Sequence, residues 1–323
     1  MMRIATVTFN PAIDQTITLD RLVPGEVHRA RSIRQDAGGK GVNVASCLAD
    51  WGASVSVFGL LGEGNATLFE ALFADKAIDD RFVRVDGDTR VNMKIVDDID
   101  TTDINMSGPV VGDADVAAVT EAVADFAADD ALIVLSGSVP PGCDPIIYAQ
   151  MVATLTARGA RVLLDTSGAP LTHALRADVL PMIVKPNRRE LAAWADTALE
   201  TMADVVACAT ALHRRGVALV VVSMGGEGAL FVSAEGALVA HLPAGPLAST
   251  VGAGDAMVAG LAAGIAEGAG LERIARLSTA FAVAKLGRPG PHLPDLATID
   301  ALAAQVTISG AGITGPHRVG EDS

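Results

Sequence analysis

The chain is short of aromatic residues, lysine and cysteine, and it lacks both of the familiar phosphate-binding loops. Phe, Trp and Tyr make up 3% of its 323 residues. Its 50% hydrophobic content and mean hydropathy of +0.40 therefore rest on Ala, Val and Leu. Five lysines are present: Lys40, Lys76, Lys94, Lys185 and Lys285. With a formal charge of −14 and a pI near 4.7, the chain is a poor general binder of nucleic acid or of an anionic membrane. An anionic ligand must meet a local cluster of positive charge. Cys47, Cys143 and Cys208 are odd in number and widely spaced, which suggests neither a disulfide framework nor a zinc site. They fit reduced, buried thiols in a cytoplasmic protein. The most apolar long stretch, 251–266, contains Asp255 and several glycines, so it reads as a core helix and not a membrane span. The opening Met-Met-Arg-Ile-Ala-Thr-Val-Thr reads as a strand and not a signal peptide. Gly38-Gly39-Lys40-Gly41 lacks the glycine spacing and the Ser/Thr of a Walker loop. No Gly-x-Gly-x-x-Gly leads from a strand into a helix, which weakens a dinucleotide reading.

Apolar periodicity predicts strands at 3–8, 54–58, 131–135, 161–165, 182–184 and 217–222, with a hairpin at 228–241. It predicts helices from Gly38 to Trp51 and at 66–77, 113–127, 145–157, 188–195, 202–214, 254–267, 271–285 and 298–305. The alternation argues an α/β fold with a mainly parallel sheet and helices on both faces. Two β-rich patches, 14–34 and 81–106, break the order and are expected to form a small sheet together as a lid. Residues 1–307 read as one domain, and the tail from Ile308 is expected to be flexible.

The most informative stretch is Ser249-Thr250-Val251-Gly252-Ala253-Gly254-Asp255-Ala256. Small residues open a helix whose first amides are unpaired donors at the positive end of its dipole, a site for phosphate. Asp255 lies beside it, placed to take a proton from a hydroxyl. An ordinary N-cap Asp is the plainer reading of the same residues. Four further constellations accompany it. Gly38-Gly39-Lys40-Gly41-x-Asn43 combines close backbone approach, a charge and an amide that can read a hydroxyl, or is a glycine turn before a helix. Asp14, after Asn10-Pro11-Ala12, is a short acceptor at a strand end suited to sugar hydroxyls, or a turn cap. Arg90-x-Asn92-x-Lys94 places two cations on one strand face, suited to a phosphate dianion or to solvent. In Lys185-Pro186-Asn187-Arg188-Arg189-Glu190, Asn187 and Glu190 share a helix face, as a capping pair or as holders of water around Mg²⁺. Ser223-Met224-Gly225-Gly226-Glu227-Gly228 and Ser136-Gly137-Ser138 are loops that follow strands.

The Gly-Gly-Lys-Gly-Val-Asn-Val-Ala run and Thr250–Ala256 resemble the ribokinase/PfkB family of sugar kinases, over Thr6 to about Gly287. Asn10-Pro-Ala-x-Asp14, Arg90-x-Asn-x-Lys94, Thr102-Asp-x-Asn105, Ser136-Gly-Ser-x-Pro-x-Gly142 and Lys185-Pro-Asn-Arg-Arg-Glu-Leu191 point to a branch acting on a phosphosugar. The resemblance implies ATP-dependent phosphorylation of D-fructose 1-phosphate at its 6-hydroxyl. It implies Asp255 as base, Gly252, Ala253 and Gly254 as anion hole, and Lys40 adding charge at the reacting group. It implies Asp14, Gly38, Gly39 and Asn43 on the sugar, and Lys40, Arg90, Lys94 and Ser138 on its phosphate. Lys185, Ser223, Gly225, Gly228, Ser249, Thr250, Val251, Gly252, Ala253 and Gly254 would line the ATP site, with Asn187 beside them. Asn187 and Glu190 would organise Mg²⁺ through water. A homodimer through the β lid is implied as well. A kinase for tagatose 6-phosphate or fructose 6-phosphate would use the same motifs, and a sugar-phosphate sensor would be expected to damage Gly-Ala-Gly-Asp. Gly287-Arg288-Pro289-Gly290-Pro291-His292 matches no motif of the family.

Overall fold

The alternating strands and helices build two sheets of unequal size in a computed structural model, which describes residues 2–245 and 252–311. The first third holds β1 (Arg3–Thr8), β2 (Ala12–Thr18), β3 (Ser32–Gly38), α1 (Lys40–Asp50), β4 (Val55–Gly62), α2 (Thr67–Asp75), β5 (Asp79–Val85), β6 (Val91–Val96) and β7 (Thr101–Ile104). The middle holds α3 (Asp113–Phe126), β8 (Ala131–Ser136), α4 (Ile147–Ala157), β9 (Arg161–Asp165), α5 (Gly168–Arg176), β10 (Ile183–Val184), α6 (Arg188–Ala195) and α7 (Met202–Arg214). The remainder holds β11 (Leu219–Ser223), β12 (Ala229–Ser233), β13 (Gly236–His241), α8 (Ala253–Ala266), α9 (Leu271–Leu286), α10 (Leu296–Gln305) and β14 (Thr307–Gly310).

The large sheet has ten strands in the order β14-β13-β12-β11-β10-β9-β8-β1-β4-β5. From β5 to β11 every pairing is parallel, and the last three pairings are antiparallel. Its central strands are apolar on both faces, as a sheet covered on both sides requires. Along β1, Ile4 faces a core with Val42, Phe69, Leu261 and Leu277, from α1, α2, α8 and α9. Its neighbours Ala5 and Val7 face the opposite core with Val119, Tyr148, Leu171 and Leu212, from α3, α4, α5 and α7. No described helix is long and apolar enough to cross a membrane.

The small sheet has the order β3-β2-β6-β7, with β2 and β6 parallel. The expected lid segments need adjustment. Residues 79–85 form β5, which pairs with β4 as an edge of the large sheet, so only the later part of 81–106 belongs to the small one. Phe82 and Val85 are buried, which anchors β5 to the main body. Asp14 lies inside β2, opposite Asp36 and Asn92, and not at a free strand end. The expected tail begins too early, because Thr307–Gly310 forms β14 and pairs with β13; residues 312–323 lie outside the described part.

Candidate active site

The strand order reverses at β1, which has β4 on one side and β8 on the other. In open α/β sheets the crevice beyond the strand carboxyl ends at such a switch point collects ligands. The helices α1 and α8 open there. The cap of α1 is Gly39, with φ 97°, and a Cβ on it would stand 2.7 Å from Pro11 Cα. The cap of α8 is Gly252, with φ 82°. Both conformations favour glycine. Ala256 N–H donates to the Gly252 carbonyl at 2.9 Å, so the amides of Ala253, Gly254 and Asp255 precede the first helical bond.

Asp255, in the first turn of α8, is buried, and its Oδ2 accepts from Asn43 Nδ2 at 2.8 Å. Burial pushes its carboxyl above the usual range; Lys40, the Asn43 bond and Lys185 act against this, and Asp165 adds to it. Asp165, at the carboxyl end of β9, is fully buried between two ammonium groups. Lys40 Nζ lies 3.1 Å from its Oδ2 and Lys185 Nζ 3.2 Å from its Oδ1. Burial alone would raise the Asp165 carboxyl, but Lys185 and Lys40 outweigh it and hold the pKa below the usual value. Lys40 is likewise pulled down by burial and pushed further up by Asp165 and Asp255, so it stays charged.

A cavity of about 300 Å³ joins this corner to the small sheet. Asp14, Gly39, Lys40, Asn43, Arg90, Lys94, Gly252 and Asp255 line it together. Asp14 accepts from Asn92 Nδ2 at 3.2 Å, and burial raises its carboxyl, with Asp255 adding and Asn92 and Arg90 opposing. Arg90 donates to the carbonyls of Met106 at 2.7 Å and Asn10 at 3.1 Å, so its guanidinium is held at the neck of the lid. Lys94 Nζ lies 3.7 Å from Asp103 Oδ1. Gly38 does not line the cavity but leaves room for the Asp14 carboxylate. Ser138, also outside it, is exposed, and its Oγ accepts from Asn10 Nδ2 at 3.2 Å.

Of the expected nucleotide residues, Lys185, Asn187, Ser223, Gly225 and Gly228 lie outside this cavity, at and just beyond the ends of β10 and β11, whereas Gly252 lines it. Asn187 caps α6, taking the Glu190 amide at 2.9 Å, while Glu190 Oε2 takes the Asn187 amide at 2.8 Å. The capping reading of that pair is thus present. Glu190 also helps to hold Lys40 charged, after Asp165 and Asp255. Ser223 ends β11, and Gly225 and Gly228, with φ 61° and 89°, shape the turn that follows. Ser249, Thr250 and Val251 lie outside the described residues. Sequence reasoning missed Asp165, which joins Lys40 to Lys185, and also Arg34, Asp36, Lys285, Gly290 and Pro291, which line the cavity. For Asp165 the signal was an acid ending a buried apolar strand in an α/β pattern.

The family model described as pfkB family carbohydrate kinase matches residues 7–298. The chain is 54% identical over 286 residues to the 1-phosphofructokinase of Xanthomonas campestris pv. campestris, covering 87% of this chain and 90% of that one. It is 46% identical over 310 residues to the 1-phosphofructokinase of Rhodobacter capsulatus, covering 95% and 98%. Among solved structures, phosphofructokinase-2 from Escherichia coli in complex with fructose-6-phosphate matches with a TM-score of 0.86 at 29% identity, over 94% of this chain and 99% of that one. A possible 1-phosphofructokinase from Thermotoga maritima matches at 0.84 and 29%, over 95% and 99%. The chain belongs to the pfkB family of carbohydrate kinases.

Proposed function

We propose that the chain is a kinase that moves the γ-phosphoryl group of ATP onto the 6-hydroxyl of D-fructose 1-phosphate, giving fructose 1,6-bisphosphate and ADP. The carrying observation is one cavity with a buried carboxylate at a helix amino end and a pair of cations, Arg90 and Lys94, on its lid side. Asp255 accepts the hydroxyl proton as the oxygen attacks in line. The amides of Gly252–Asp255 and the Lys40 ammonium stabilise charge on the transferring group. Asp14, Gly39 and Asn43 hold the sugar, with Gly38 giving Asp14 its room. Arg90 and Lys94 hold the existing phosphate, with Ser138 at its margin. Lys185, Ser223, Gly225, Gly228 and the 249–251 segment bind ATP.

Among the described residues no cluster of three metal-ligating side chains exists. This donor set suits Mg²⁺, which keeps most of its waters and takes its remaining ligands from phosphate. Glu190 uses one carboxylate oxygen for the cap and has a second for such a water; Asn187 fixes its position. The ion would neutralise phosphate charge there. The chain through Gly310 acts as one kinase unit in the cytoplasm, with the small sheet as lid. Exposed Ile33 and Ile104 on that sheet support a dimer formed through it.

The direct test compares kcat/KM with fructose 1-phosphate, fructose 6-phosphate, tagatose 6-phosphate and free fructose. The proposal expects strong preference for the first. Preference for a 6-phosphate would refute the acceptor and leave the base in place. Arg90→Ala is expected to raise the KM for the phosphosugar about tenfold or more with kcat largely kept, because Arg90 binds a group that does not react. An unchanged KM would remove it from the site. The raised Asp255 carboxyl predicts that kcat falls with acidification along a limb above the ordinary aspartate value of about 4. Lys40 holds that carboxyl down, so Lys40→Met should move the limb to higher pH; an unmoved limb would separate Lys40 from the base.

A further inference from the structure

Lys285, near the carboxyl end of α9, is 4% exposed and lines the cavity beside Asp255 and Gly252. A Cβ on Gly252 would stand 3.1 Å from Lys285 Cε and 3.8 Å from its Nζ. The ammonium thus lies against the residue that caps α8, at the positive end of that helix, where a cation is repelled. The other two lysines of this corner share the Asp165 carboxylate. Lys285 donates to a neutral acceptor, the Arg288 carbonyl at 2.9 Å, and among the described residues it forms no ion pair. Burial makes it release its proton more readily, with Cys47 and Asp255 acting against that. A buried cation next to a dipole end of the same sign is offset when an anion arrives between them.

We propose that Lys285 is a catalytic residue whose ammonium holds the phosphoryl group as it passes onto the sugar and keeps hold of it as the new phosphate of the product. This rests on the reaction proposed above. The bond from the γ-phosphorus to the bridging oxygen of ADP breaks as the bond to the sugar 6-oxygen forms. The hydroxyl proton goes to Asp255, and Lys285 keeps all of its own protons. Its charge faces Gly252 and Asp255, where the transferred group sits, whereas Arg90 and Lys94 face the phosphate already present. Nothing in the Gly-Gly-Lys-Gly or Gly-Ala-Gly-Asp motifs contains this lysine.

The test measures equilibrium affinity of wild type, Lys285→Met and Lys285→Gln for fructose 1-phosphate and for fructose 1,6-bisphosphate, beside steady-state kinetics. In Lys285→Met, affinity for the bisphosphate is expected to fall ~10–100-fold, the value of a charge-assisted hydrogen bond. Affinity for the monophosphate should stay within about threefold, and kcat should fall ~10²–10³-fold, as for other anion-hole donors. Lys285→Gln keeps a donor for the Arg288 carbonyl but not the charge, and should lose bisphosphate affinity like the Met variant. Equal losses for both sugars would overturn the assignment and place Lys285 on the existing phosphate. Full recovery by Gln would make the lysine a tether for the 287–291 turn. A wild-type protein that binds neither sugar would instead refute the acceptor assignment, whatever the variants do.

Discussion

Asp255→Asn is expected to lower kcat by ~10²–10⁴-fold, the usual cost of removing a positioned general base. The substitution keeps shape and keeps an oxygen for the Asn43 amide, which now donates to the carboxylate at 2.8 Å. Stability should not fall, because a carboxyl whose pKa is raised by burial is a charge the folded state carries at a cost. Its linkage has a definite sign. The raised group favours the fold below its unfolded pKa, and this is lost as pH rises through the folded value. At neutral pH the neutral amide is therefore neutral or stabilising. The check pairs kcat with a denaturation curve. An Asn variant with near wild-type kcat would remove Asp255 from the chemistry. A variant that is inactive and also unfolded would leave a packing role as the better account.

Asp165→Ala is expected to cost about 3–5 kcal/mol of folding stability, since removing one partner of a buried ion pair strands the other charge. Lys185 bears most of this: its side chain is 5% exposed, whereas that of Lys40 is 35% exposed and can turn toward water. The carboxyl is held below its ordinary pKa, so its contribution is present above the unfolded value and is lost as pH falls through the folded one. The wild type should accordingly lose stability over that acid window, and the Ala variant should lose less. Adding Lys185→Met should recover part of the loss, because the stranded charge is gone. If the double variant is as unstable as the sum of two independent losses, the two side chains do not act as a pair.

Much of the scaffold was legible because local pattern and tertiary demand agree. The run from Met202 to Arg214 reads as a helix and is one over that range, with the Thr201–Asp204 capping box that starts it. The central strands were visible as short apolar runs. β14 was not, because Thr-Ile-Ser-Gly is a short edge strand with no apolar face and is ordered by its partner β13. Residues 81–85 were misplaced because alternation marks a strand without naming its sheet. At the site, glycines before a helix betrayed the two caps, since backbone geometry leaves few substitutes there. Asp165 and Lys285 escaped notice because a lone charged residue at the end of an apolar run carries no local mark of its partner. Their meaning lies in charges brought together from remote parts of the chain.

The bond between Asn43 and Asp255 spans 212 residues. On a ribosome adding 5–20 residues per second, roughly 10–40 s separate the synthesis of its two ends. Asp14 precedes that interval and Arg90 and Lys94 fall early within it, so a nascent chain carries the sugar-phosphate residues long before it carries a base. Through the same interval the surface of α1 that packs on α8 has no cover and stays open to wrong contacts. Translation pauses before residue 253 thus bear on aggregation more than on catalysis, and chaperone dependence should track the delay in making α8.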